Sequence, residues 1–156
     1  MLAAALVLAA PAAALPPRHG VLVPALSLGG VRLGVLPGAV IARWGTSFGI
    51  CRGCGQPTWY FNLVPFQPQG AGVTFRNGRV DALFTLWAPA GWRTSDGLRV
   101  GDPVERIGSI YGRLATRSCL GYDALELVAG GAVTTFFVHG GRVWGFGLSR
   151  APQPCR

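Results

Sequence analysis

The sequence predicts an α+β fold of two tandem units, each a short helix packed on a three-stranded antiparallel meander, and this rests on three observations. Short motifs recur in order. Val31-Arg32-Leu33-Gly34 returns as Leu98-Arg99-Val100-Gly101, and Trp44-Gly45 returns at the same offset as Tyr111-Gly112. Phe75-Arg76-Asn77-Gly78-Arg79-Val80 returns as Val138-His139-Gly140-Gly141-Arg142-Val143 at a slightly shorter offset, the pattern left by duplication with loop divergence. Each copy holds one amphipathic helical stretch. Each then runs into apolar segments divided by Asn-Gly or Gly-Gly, the two-residue hairpin turns whose positions tolerate positive φ.

Residues 1–14 read as a signal peptide. The apolar run from Leu2 to Leu15 is broken only by Pro11 and carries small residues at Ala12-Ala13-Ala14. It is shorter than the roughly 20 apolar residues that span a bilayer. No Cys follows the small residues, so no stable membrane anchor is expected, and the mature chain should start near Leu15. Residues 15–30 are an N-terminal extension, 31–87 the first unit, 88–97 a linker rich in turn formers, 98–150 the second unit and 151–156 a tail.

In the first unit Pro37, Val40 and Trp44 form the helical stripe and Gly45 the stop. In the second, Asp102 is placed to cap, Pro103 and Glu105 fit the first turn, and Val104, Ile107 and Tyr111 share a face ahead of Gly112. Strands follow at Thr58 to Leu63, Gly72 to Arg76 and Arg79 to Leu86, with Pro65 to Gly70 as a loop. Their counterparts are Leu120 to Val128, Ala132 to His139 and Arg142 to Leu148.

Half of the residues are hydrophobic, 13% are charged and the mean hydropathy is +0.39, which excludes a disordered chain. The net charge of +8 comes from arginines alone, scattered from Arg18 to Arg156 without a run. That distribution points away from nucleic acid, whose binders cluster their basic residues. An Arg-rich binder of anionic envelope polymers remains as an alternative.

Four cysteines in an exported chain read as two disulfides, with three pairings possible. Their order favours Cys51–Cys54 and Cys119–Cys155, the second pinning the tail onto the second unit. Cys51-Arg52-Gly53-Cys54 has the spacing of a thiol-disulfide oxidoreductase, but Gly55-Gln56-Pro57 and a strand follow it where such a site needs a helix start. Zinc would need a second close pair, and neither His19 nor His139 stands at triad spacing. No enzyme activity, metal or cofactor is therefore expected.

The layout resembles the small-domain superfamily that includes the outer-membrane assembly lipoprotein BamE and the tandem-repeat β-lactamase inhibitory protein. Gly34, Val40, Trp44-Gly45, Trp59-Tyr60-Phe61, Val73, Phe75 and Asn77-Gly78-Arg79-Val80 carry the resemblance. It implies an interaction module without a cofactor, whose partner is another protein.

Strand alternation locates the expected binding surface. Arg76 should face Arg79, Phe75 should face Val80 and Val73 should face Ala82, so that these apolar residues, with Phe84 and Leu86, meet the helix. Phe136, Val138, Val143 and Gly145 are their counterparts. The other face then carries Leu83, Trp87, Phe137, Trp144, Phe146 and Leu148, with Arg142 and His139 among them. Aromatic groups rimmed by polar ones mark an interaction surface. The plainer alternative is that residues Val21 to Leu28 or the tethered tail cover that face as a third layer.

Overall fold

The protein is described by a computed structural model over residues 19–62, 70–153 and 155. The signal-peptide segment lies outside these residues, as does most of the Pro65 to Gly70 loop. In chain order the elements are β1 Gly20–Val23, β2 Ser27–Leu28, β3 Val31–Arg32, α1 Pro37–Trp44, β4 Gly49–Cys51, β5 Thr58–Asn62, β6 Gly70–Arg76 and β7 Arg79–Leu86. They continue as β8 Trp92–Thr94, α2 Glu105–Tyr111, β9 Ala115–Cys119, β10 Tyr122–Ala129, β11 Ala132–His139 and β12 Arg142–Ser149.

This corrects the expected α+β pair of three-stranded units. The protein is mostly β, and eight strands form one antiparallel sheet in the order β4-β5-β6-β7-β12-β11-β10-β9. A second, mixed sheet has the order β3-β2-β1-β8, with β1 and β8 parallel. Three features escaped the pattern reading. The edge strands β4 and β9 are short, and β9 reads Ala-Thr-Arg-Ser-Cys with no apolar alternation. Residues read as extension and linker supply β1, β2 and β8. The seam between β7 and β12 joins the two halves into one sheet, a long-range pairing with no local signature.

Both helices and the smaller sheet lie on one face of the large sheet. Val40 and Trp44 are buried beneath α1, and the Trp44 indole donates to the Gly29 carbonyl at 3.0 Å. Ile107 is buried beneath α2, and the Tyr111 ring stacks on Phe136 at 4.6 Å. Asp102 does not cap α2. Its carboxylate accepts the Arg99 backbone N–H at 2.8 Å and pairs with Arg106, while Val104 stands at the N-cap. The loop before each helix is held to a hairpin in the same way. Gly34 N–H donates to Val80 O at 2.7 Å, and Gly101 N–H to Val143 O at 2.7 Å. The Arg79 and Arg142 guanidinia donate to the Gly34 and Gly101 carbonyls, each at 3.0 Å.

Two register shifts decide which side chains meet this core. Phe75 pairs with Val80 as expected, but Thr74 then pairs with Ala82, leaving Asp81 out of the ladder. Likewise Val138 pairs with Val143 and Phe137 with Gly145, leaving Trp144 out. One extra residue on one strand reverses the parity of everything beyond it. Val73 therefore faces Leu83 and not Ala82, and Phe84 leaves the helix face for the other. Leu83, Phe146 and Leu148, expected on the open face, are 1%, 0% and 1% exposed inside the core with Val73, Phe136 and Val143.

Candidate functional site: an aromatic groove on the open sheet face

The two halves of the large sheet pair at Gly147 with Phe84, Leu148 with Leu83 and Ser149 with Ala82, and the Arg150 N–H donates to the Asp81 carbonyl at 3.2 Å beyond them. At the next position the hydroxyl of Thr85 accepts the Phe146 backbone N–H at 2.8 Å, replacing a ladder bond with a side chain. Beyond it a groove of about 600 Å³ opens on the face away from the helices.

Tyr60 and Phe84 line the groove from the first half, Tyr122, Phe137 and Trp144 from the second, and Trp87 stands beyond the end of β7. The Tyr60 and Phe84 rings lie 6.2 Å apart. Trp144 is the hub of the other wall, 5.8 Å from Trp87 and 5.9 Å from Tyr122, which is itself 5.9 Å from Phe137. Edge-on and tilted contacts at such distances hold rings in fixed orientations and add to their burial. Glycines make room beneath them. A Cβ on Gly72 would run into the Phe84 ring, and one on Gly147 would stand 3.2 Å from Phe137.

Trp87 is 59% exposed, and both it and Ala88 adopt positive φ, 51° and 45°. Left-handed backbone at two successive non-glycine residues is costly and is held by its surroundings. It turns the chain sharply at the groove mouth, where Leu120 is fully exposed. Among the described residues no Asp, Glu or Arg lines the groove. Its polar groups are Thr85, Thr135, Ser149, Gln153 and His139, whose Nδ1 lies 2.5 Å from the Gly121 carbonyl.

The C-terminal tail crosses one end of this face. Ser149 donates to Ala151 O at 2.7 Å, the Arg117 guanidinium donates to Gln153 O, and Cys155 is bonded to Cys119. The tail thus covers part of the face, whereas residues Val21 to Leu28 pack on the opposite side, where Ala25 N–H donates to Thr134. Cys51 is bonded to Cys54, so both disulfides start from the last residue of an edge strand. The Cys54 sulfur is 3.9 Å from the Tyr60 hydroxyl at the groove margin. No helix begins at this pair, and residues 52–56 form bends leading into β5.

Of the residues read as the binding face, Trp87, Phe137 and Trp144 line the groove. Leu83 is buried at its floor, Phe146 lies in the core, and Arg142 turns its guanidinium to Gly101. Tyr60, Phe84 and Tyr122 went unrecognised. Tyr60 alternates with the half-buried Trp59 and the buried Phe61 in one aromatic run, so the signal was present. Tyr122 pairs with Cys119, and its place depends on β9, which the sequence hid. Among the described residues no cluster of three or more His, Cys, Asp or Glu could hold a metal ion.

On the helix face the Tyr111 hydroxyl donates to the Asp96 carboxylate at 3.0 Å. Burial pushes the Tyr111 pKa up to about 12, with Thr94 acting against the rise and Asp96 adding to it.

No family model and no curated protein matches the chain. Among solved structures it is similar to an extracellular protein containing a SCP domain from Bacillus anthracis str. Ames, with a TM-score of 0.58 and 9% sequence identity. The match covers 92% of this chain and 50% of that one, so the chain spans about half the length of that protein. At this identity the likeness is one of fold.

Proposed function

We propose that the protein is an exported, non-catalytic binding module that holds an uncharged, apolar or aromatic segment of another protein in the groove. The observation that carries this reading is an open, aromatic-lined groove with no carboxylate or guanidinium side chain among the described residues of its lining. Such a site gains by burying apolar surface, and Trp and Tyr dominate the energetics of interfaces. Glycines beneath Phe84 and Phe137 keep the rings seated without a partner, so little ordering entropy opposes binding. Two disulfides and the apolar leader support export, since such bonds persist in oxidising compartments.

The test is capture from an envelope extract with Trp144→Ala and Trp87→Ala beside the unaltered protein. Losing a central Trp should weaken capture by about 30-fold, the size of an interface hot spot. The thermal midpoint should move by less than about 4 °C, because both side chains are partly or largely exposed. Equal capture by a variant carrying both substitutions would overturn the placement, as would cross-links confined to the helix face.

A further inference from the structure

We propose that the corner around Gly34 docks the protein peripherally on a membrane rich in anionic lipid, with Arg79 and Arg150 taking headgroup phosphates. Two guanidinia converge there. Arg79 Nη1 donates to the Gly34 carbonyl at 3.0 Å, and Arg150 Nη2 lies so near Gly34 that a Cβ would collide with it. Both side chains are exposed.

The carboxylate nearest in the chain, Asp81, whose backbone carbonyl accepts the Arg150 N–H at 3.2 Å, is engaged by Arg76. The ion pairs are Arg76 with Asp81, Arg106 with Asp102 and Arg117 with Glu126, and neither Arg79 nor Arg150 takes part in one. Residues 19–80 contain Arg32, Arg43, Arg52, Arg76 and Arg79 but no Asp or Glu. The matching corner of the other half provides an internal contrast. There Arg142 holds the Gly101 carbonyl in the same way, but Asp102 follows directly and pairs with Arg106, whereas Val35 follows Gly34. Each corner holds one ion pair, Arg76 with Asp81 or Arg106 with Asp102, and one guanidinium on the glycine carbonyl, and at Gly34 a second guanidinium, that of Arg150, joins it. Arg43 packs along Gly30 and Arg32 is exposed on β3, extending the positive surface along the loop.

A guanidinium presents a planar fork matched to phosphate oxygens. Leu36, 57% exposed two residues beyond Gly34, argues for a lipid surface over soluble phosphate. Beside basic groups, an apolar side chain can enter the headgroup boundary while the cations meet the phosphates. The corner lies at the start of β7 and the groove mouth at its end, about 20 Å away for a strand of this length, so docking leaves the groove open.

The test is co-sedimentation of the disulfide-intact protein with phosphatidylglycerol vesicles and with phosphatidylcholine vesicles at about 0.1 M ionic strength. Binding should require the anionic lipid and weaken as salt rises. Arg79→Gln should lower the partition coefficient about 5-fold and Arg79→Gln with Arg150→Gln about 30-fold, following the usual contribution of one basic side chain near such a surface. Arg113→Gln removes the same charge from the other half and should change it less than about 2-fold. Leu36→Ser should weaken binding without altering its salt dependence. Equal loss from Arg113→Gln would reduce the effect to net charge and overturn the site. So would equal binding to both vesicle types, or binding of inorganic pyrophosphate through the two arginines with no vesicle binding. Trp144→Ala should leave vesicle binding unchanged, which separates this surface from the groove.

Discussion

Single residues in this protein act through the space they leave as much as the contacts they make. Gly72 lies beneath the Phe84 ring, and Gly72→Ala should force the ring aside and cost about 1–3 kcal/mol, the usual range for overpacking. Gly108, within α2, meets nothing within 4 Å of its missing Cβ and lacks a positive φ. Gly108→Ala should therefore stabilise, by up to about 1 kcal/mol, because glycine is the costlier residue in a helix. Thermal unfolding of the two variants should show shifts of opposite sign. Tyr111 predicts a pH effect. Its phenol ionises near 10 in the unfolded chain and at about 12 in the fold, so the unfolded state loses its proton first as pH rises. Stability from this group is whole below pH about 10 and falls away between about 10 and 12. Absorbance titration should find a phenol that ionises at about 12, and Tyr111→Phe should remove that step.

At the scale of elements, the disulfides act as ties on the two ends of an open sheet. Edge strands tend to recruit other chains, and here β4 and β9 are short and each ends in a bridged cysteine. The bridges differ in reach, closing sequence separations of 3 and 36 residues. In the chain-entropy account the shorter contributes about 2 kcal/mol and the longer about 4. Replacing Cys119 and Cys155 by Ser should lower the denaturation midpoint more than replacing Cys51 and Cys54. It should also raise amide exchange in β9 and the tail, where Arg117 would still donate to the Gln153 carbonyl. An equal loss from the two pairs would show that the tail is held by its other contacts.

For the whole molecule, legibility in the sequence followed the range of the interaction. Helical stripes such as Val40 with Trp44, and turns such as Asn77-Gly78, are written within a few residues and were readable. The bulges at Asp81 and Trp144 were not, because a ladder skips a residue to satisfy packing across the sheet, and the sequence there still alternates. Those two skips moved Leu83 and Phe146 into the core while leaving Trp144 at the groove. Joining β7 to β12 was the least readable event, since strands about 60 residues apart carry no mark of partnership.

That seam has a consequence for how the site could change over time. The walls of the groove belong to different halves of the chain, and three residue pairs set how they face each other. A paired slip at the seam, with Leu83 and Leu148 repacked across it, or a change in the hydroxyl of Thr85 that bridges it, would slide one wall past the other. Specificity could then drift by translating two finished surfaces, like jaws moving on a shared track, while the residues on each jaw stay the same.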